Sequence, residues 1–164
     1  MSKIITISRE FGSGGHFIGE NVAKKLGITF YDSQILEKIA EETGFSKKII
    51  EDQGEYSPPK SLFSYAFVGR DATGSSISDK IYNVQSAIIR ELAKKESFVI
   101  IGRCADYILR DNPDAVHIFI HGDEAVKKER IMKLYNKTEK EAAVMMRDMD
   151  KKRKMHYNYY TEGE

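Results

Sequence analysis

The chain has 164 residues, with 26 Lys+Arg against 25 Asp+Glu and a formal net charge of +1. That length predicts one domain, and 41% hydrophobic with 31% charged residues is a soluble globular composition rather than a disordered one. No apolar run approaches the roughly 20 residues of a membrane span, and Arg9 and Glu10 interrupt the apolar stretch that a signal peptide needs. Cys104 is the sole cysteine, which excludes an intramolecular disulfide and a zinc site built on several thiolates. A reducing cytoplasm is the default compartment. A near-neutral charge argues against a general nucleic-acid binder.

In chain order, Lys3–Ser8 is a β-branched run and predicts a strand, closed by the glycine-rich FGSGGHF. Ile18, Val22 and Leu26 recur at helical spacing, and Gly27 suits the stop. Residues 28–31 predict a second strand. Asp32 or Ser33 would cap a helix with Ile35, Leu36 and Ile39 inward, ending near Gly44, and Ser46 a short one through Ile50. Residues 52–78, with Pro58, Pro59, Gly69 and Gly74, read as a mobile insertion holding one short helix over 61–67. Helical spacing returns with Ile77, Ile81, Val84, Ile88 and Leu92. Residues 97–101 form a continuous apolar strand, as in a parallel sheet covered on both faces. A helix to about Leu109, a turn at Asn112-Pro113, and a strand over 115–121 follow. Asp123 caps a helix to about Tyr135, and Thr138 with Glu141 forms a capping box that opens the last helix. The terminal YNYYTEGE predicts no element. Strands alternating with helices predict an α/β fold, three layers deep, with a mainly parallel sheet and right-handed crossovers.

Charge is unevenly spread. Residues 124–154 hold 11 Lys+Arg and 6 Asp+Glu, a net of +5. This is either a solvated helical face or a local anion site.

The strongest feature is a strand, then Ser8-Arg9-Glu10-Phe11-Gly12-Ser13-Gly14-Gly15-His16, then a helix. Glycines at such a turn let backbone N–H groups face outward, and the helix adds its positive dipole end. Three glycines in four residues exceed what a tight turn needs, so phosphate binding is favoured. Two motifs compete. A G-x-G-x-x-G dinucleotide fingerprint fits at Gly12 and Gly14 but meets Phe17 at its third glycine, with Asp32 available for a ribose. A P-loop fits Gly12-Ser13-Gly14 as its second half, with Gly15 at the lysine position and Phe17 where a magnesium-holding Ser/Thr would stand.

Three segments in order resemble the cytidylate kinase-like family, a P-loop branch of the nucleoside monophosphate kinases. They are ITISREFGSGGHFIGENVAKKLGITFYD, SAIIRELAKKESFVIIGRCADYIL and RDMDKKRKMHYNYY. The resemblance implies one kinase-like domain over residues 1–164, with 52–78 covering the acceptor and 138–157 as a lid helix. It implies transfer of the γ-phosphoryl group of ATP, with Mg2+, to a small acceptor such as a nucleoside monophosphate. A small-molecule nucleotide is the expected partner, with neither nucleic acid nor membrane.

Residue by residue, Gly12, Ser13 and Gly14 match the phosphate cradle. Gly15 replaces the loop lysine, and Arg9 or His16 would supply charge in its stead. Asp32 and Lys38, in DSQILEK, are similar to the acceptor segment, although a helix cap and a surface lysine are the plainer readings. Arg103 matches the arginine that contacts the acceptor phosphate. Cys104 stands where cytidylate kinases proper carry the aspartate that helps read cytosine, and it suits a small buried hydrophobe. Asp106 is the candidate to substitute for that aspartate, though helical geometry would turn it to another face. Arg147, Asp150 and Arg153, spaced by three on one helix face, match the lid, whose cations close over the transferring group. Metal ligands are left unassigned. In the family a further strand and helix with an adenine-side segment usually follow; either they lie outside this sequence or that site is rebuilt. Two other readings stay open: a nucleotide-binding protein without kinase activity, and a Rossmann module.

Overall fold

The structure is a computed structural model, and it describes residues 3–32, 34–53 and 76–161. Four strands form one parallel sheet: β1 (Ile4–Arg9), β2 (Thr29–Tyr31), β3 (Phe98–Ile101) and β4 (Ala115–Ile120), in the order β2-β3-β1-β4. Seven helices alternate with them among the described residues: α1 (Gly15–Leu26), α2 (Gln34–Thr43), α3 (Lys47–Gln53), α4 (Ile77–Lys95), α5 (Ala105–Ile108), α6 (Glu124–Tyr135) and α7 (Glu139–Thr161). The α/β reading holds. The order decides between the two loop motifs, because a dinucleotide-binding Rossmann sheet places β2, not β3, beside β1.

β3 is buried at every position, as its unbroken FVII run requires. Each such side chain contributes about 1.5–3 kcal/mol by burial. One face of the sheet packs Ile4, Phe98 and Ile100 against Ile35, Ile39, Ile81 and Ile89. The other packs Ile7, Val99 and Ile101 against α1. β4 lies at the sheet edge and exposes Val116, Ile118 and Phe119.

Several expectations need correction. The spacing of Ile18, Val22 and Leu26 does mark α1, but Ile18 and Leu26 are exposed and Val22 is only partly buried; the buried residues are Gly15, Gly19 and Ala23. A Cβ on Gly19 would lie 2.6 Å from Ile101 Cδ1 and 3.0 Å from Phe30 Cε2, so the helix sits too close to the sheet for larger residues. Helix α3 reaches Gln53 and α4 starts at Ile77, which narrows the insertion from both ends. The short helix expected over 61–67 lies outside the described residues. Strand β3 starts at Phe98; Ser97 Oγ instead accepts from the Lys3 N–H, at 2.8 Å. The terminal segment is helical as far as Thr161, not irregular. Tyr160 stacks on Tyr82 with ring centroids 3.9 Å apart, and that contact draws the last turns of α7 onto α4.

The caps agree with the sequence reading. Asp123 Oδ1 accepts from the Ala125 N–H at 2.8 Å, and Thr138 and Glu141 form the reciprocal box.

Candidate functional site

Because all strands are parallel, β1, β3 and β4 end at one edge of the sheet, the edge where open α/β folds hold ligands. From β1 the chain enters the glycine turn. Gly12 (φ 80°) and Gly14 (φ 87°) are left-handed, a conformation that costs other residues roughly 1–2 kcal/mol. Gly14 is the N-cap of α1, no side chain caps that terminus, and its first turn carries no acidic residue. Backbone N–H groups and the helix dipole at that terminus are what an anion would meet.

Gly15 has a different reason. A Cβ there would lie 2.9 Å from both Cβ and Cγ of Arg9. The Arg9 stem therefore fills the room that a side chain at position 15 would need.

α6 braces the turn from outside. Lys127, nearly buried, donates to Glu10 Oε2 at 2.7 Å, and the Gly122 N–H reaches the same oxygen at 3.2 Å. The Lys127 ammonium holds the Glu10 carboxyl below the usual carboxylate range. The Arg130 guanidinium donates to the Gly12 carbonyl and lies 3.3 Å from where a Cβ of Gly14 would sit. Sequence reasoning missed Arg130. The available signal was its place three residues after Lys127 and one before the fully buried Ile131, on the α6 face turned to the loop.

A cavity of about 470 Å3 opens beside the end of β1. Arg9, Arg103, Asp150 and Arg153 line it, with Asp106 and Tyr157 farther along the wall. Arg103 is 6% exposed and its Nε finds no hydrogen-bond partner among the described residues. It sits in a run of three left-handed residues: Gly102 (φ 64°), Arg103 (φ 62°) and Cys104 (φ 52°). Two non-glycine residues in that conformation store strain, as functional corners often do. Buried Gln85 secures the corner by donating Nε2 to the Arg103 carbonyl at 2.9 Å.

The lid residues part company. Asp150 Oδ1 accepts from the Phe11 N–H at 2.6 Å, and Arg153 donates to the Arg9 carbonyl at 3.3 Å with its guanidinium over the Phe11 ring. Arg147 is exposed and is not among the cavity-lining residues, although the spacing put it on their face. Much of the basic segment is consumed by carboxylates: Lys128 by Glu124 and Glu139, Lys133 by Glu129, Lys137 by Glu141. The part that reaches the site is Lys127, Arg130, Arg153 and Lys154.

Asp32 Oδ2 lies 2.8 Å from His16 Nδ1, so these two candidates pair with each other at the start of α1. Lys38 is half-buried on α2 and does not line the cavity. Ser13 Oγ turns back to donate to the Glu10 carbonyl at 2.8 Å. Cys104 is buried as expected, with Sγ 3.7 Å from His156 Nδ1. Asp106, expected on another face, lines the same cavity. Helical geometry does not govern its direction, because α5 begins only at Ala105, after the left-handed pair.

The family model described as cytidylate kinase-like matches residues 4–164. The chain belongs to the cytidylate kinase-like family. Among solved structures, an uncharacterized protein from Eubacterium ventriosum ATCC 27560 is 35% identical, with 98% of this chain and 79% of that chain covered and a TM-score of 0.71. Shikimate kinase from Acinetobacter baumannii, in complex with shikimate, is 15% identical over 97% of this chain and 80% of that one, with a TM-score of 0.51. Shikimate kinase from Bacteroides thetaiotaomicron is 19% identical over 96% and 82%, at 0.54. The two shikimate kinases share the fold alone. No curated protein matches the chain. The family and the fold place the chain, coarsely, among kinase-type, nucleotide-kinase-like proteins. No helix among the described residues is long and apolar enough to cross a membrane.

Proposed function

We propose that this cytidylate kinase-like chain is an ATP-dependent phosphotransferase that moves the γ-phosphoryl group to a small phosphate-bearing acceptor of the nucleoside monophosphate class. The observation that carries the reading is the cavity at the end of β1, where Arg9, Arg103 and Arg153 converge beside the glycine turn and the buried Arg103 Nε has no partner among the described residues. A buried guanidinium donor without an acceptor is costly unless an anion completes it.

The turn fits nucleotide phosphates, with two left-handed glycines and an uncapped helix terminus. On this reading Gly12, Ser13, Gly14 and Gly15 hold the donor phosphates, with Arg130 beside them. Arg9 supplies the charge of the missing loop lysine. Arg103 holds the acceptor phosphate, and Arg153 faces the group in transfer. His16 and Asp32, paired, border the turn, while Lys38 and Arg147 would serve only through a movement of α2 or α7. Such chemistry needs alignment and charge more than covalent help. Mg2+ would arrive on the nucleotide, held by phosphates and water, and neutralise charge on the transferring oxygens.

The test is ADP formation from ATP and Mg2+ across a panel of nucleoside monophosphates, with Arg103→Ala alongside. Turnover that depends on one acceptor and is lost in the variant is expected. ATP hydrolysis indifferent to every acceptor would overturn the acceptor assignment. A second reading, nucleotide binding without turnover, is favoured by Gly15 at the lysine position and by the exposed Phe17 in place of a magnesium-holding hydroxyl. Tight ATP binding with no ADP formed on any acceptor would select it.

A further inference from the structure

Ion pairs account for only part of the basic segment over residues 124–154. Lys128 and Lys133 each have a carboxylate four residues before them, Glu124 and Glu129, and Lys137 has Glu141 four residues after it. Midway along α7 this pattern stops. Arg147, Lys151 and Lys154 are exposed, and none has an ion-pair partner among the described residues. Spacings of four and three put them in one stripe, roughly 10 Å long. Like charges four apart weaken a helix, so α7 carries this stripe at a cost. The Asp150 carboxylate, one residue before Lys151, is turned instead to the Phe11 N–H, at 2.6 Å. Lys154 lines the cavity, whereas Arg147 and Lys151 do not. The stripe therefore runs from open surface to the rim where Arg9, Arg103 and Arg153 converge. The whole chain has a net charge of only +1, and residues 124–154 hold +5, so positive potential is concentrated on this side.

We infer that the Arg147–Lys151–Lys154 stripe is an electrostatic guide that draws phosphate-bearing ligands along α7 into the cavity. Arg147 and Lys151 act at a distance and speed arrival; Lys154 passes the phosphate to the arginines inside. The guide reads charge rather than shape, so a nucleoside triphosphate is drawn more strongly than a monophosphate. This inference rests on the phosphotransferase reading for its ligand. It differs from a lid role for Arg147, because a cation that closes over a bound phosphate slows departure, whereas a guide changes arrival alone. Charged clefts raise association rates by about 10- to 1,000-fold, and the gain fades as salt shortens the reach of the field.

The experiment is stopped-flow mixing of ATP and of AMP, each with a fluorescent label on its ribose, with wild type and two double variants. Arg147→Gln/Lys151→Gln removes the two stripe cations that do not line the cavity. Lys24→Gln/Lys25→Gln removes the same charge from the exposed last turn of α1, the end of that helix far from the glycine turn. The stripe variant should bind labelled ATP about three- to tenfold more slowly at 0.01 M ionic strength and less than about twofold more slowly at 0.15 M, where the field reaches only about 8 Å. Its dissociation rate should match wild type, its loss with labelled AMP should be smaller, and the α1 variant should stay close to wild type throughout. Faster dissociation with unchanged association would overturn the guide in favour of a closing lid. Equal slowing in the two variants would overturn it in favour of net charge alone. An association rate untouched by the stripe substitutions sinks the guide, while acceptor-dependent turnover in wild type keeps the phosphotransferase reading. If wild type binds neither nucleotide, both fall together.

Discussion

Gly15→Lys restores the residue that a P-loop would carry at this position, yet it is expected to impair the protein. A Cβ at position 15 lies 2.9 Å from Cβ and Cγ of Arg9, atoms near the backbone that cannot swing aside as a side-chain tip would. Overpacking of this kind costs about 1–3 kcal/mol, or roughly 2–12 °C of melting temperature for a chain of this size. Arg9→Ala removes the Cγ contact and leaves the Cβ contact, so it vacates part of the room. Alone it removes a cation from the transferring phosphoryl group, and such cations are commonly worth ~10³–10⁵ in rate. The double variant Gly15→Lys/Arg9→Ala should recover part of the melting temperature lost by Gly15→Lys, because the Cγ contact is gone and the Cβ contact stays. It should also recover part of the rate lost by Arg9→Ala, because the new lysine then has space and a phosphate to meet. Thermal unfolding and ADP formation on the four proteins close the cycle, with a stability coupling of about 0.5–3 kcal/mol expected for residues in contact. Strict additivity in both measurements would refute the idea that Arg9 and the loop lysine are alternatives for one place. So would a Gly15→Lys protein with wild-type stability and rate.

Three further outcomes are expected. Gly19→Ala should destabilise by about 1–2 kcal/mol in denaturant titration, because the 2.6 Å approach to Ile101 Cδ1 outweighs a helix-propensity gain of about 1 kcal/mol; a more stable variant would mean that α1 can lift off the sheet. Glu10 has a lowered folded pKa, so its bond to Lys127 stabilises at neutral pH and is lost as pH falls below 4.5 through the folded value. Glu10→Gln should therefore be less stable at pH 7 and show a flatter decline in acid, as read from unfolding midpoints against pH; parallel curves would remove Glu10 as a source of the acid transition. Gln85→Leu leaves the buried Arg103 carbonyl without its donor, at about 1–3 kcal/mol, and should raise KM for the acceptor more than it lowers kcat. An unchanged KM would show that the left-handed corner holds Arg103 unaided.

The parts of this fold that were legible in the sequence are those set by local chemistry. The FVII run gave β3 its burial, Asp123 and the Thr138–Glu141 pair gave two helix starts, and the glycine-rich segment gave the left-handed turn before α1. The illegible parts depend on what arrives from elsewhere. The inner face of α1 is glycine and alanine, because the sheet comes too close for Ile18 or Leu26, and spacing alone cannot report that distance. Tyr157 to Thr161 read as an irregular tail, since the stack of Tyr160 on Tyr82 spans almost half the chain. Arg130 was one cation among eleven in its segment, and only the packing of Ile131 against Phe11 shows which of them faces the loop. Asp106 was misplaced by assuming a helix where Arg103 and Cys104 are left-handed.

One face of α7 ties these observations together. Asp150 and Arg153 grip the backbone of Phe11 and Arg9 at the glycine turn. Four residues beyond Arg153, Tyr157 lines the same cavity as Arg103 and Asp106. Spacings of three and four keep the three residues on one helix face, and seven residues cover roughly 10 Å of helix. A rigid rod of that length spans from the glycine turn to the far wall of the cavity, so neither side of the site can change its distance to α7 without the other feeling it. On the proposed reading, the gap to be spanned is that between a transferring phosphoryl group and the body of its acceptor. A helix that fixes both ends sets their alignment, and alignment is the larger share of what phosphoryl transfer asks of a protein.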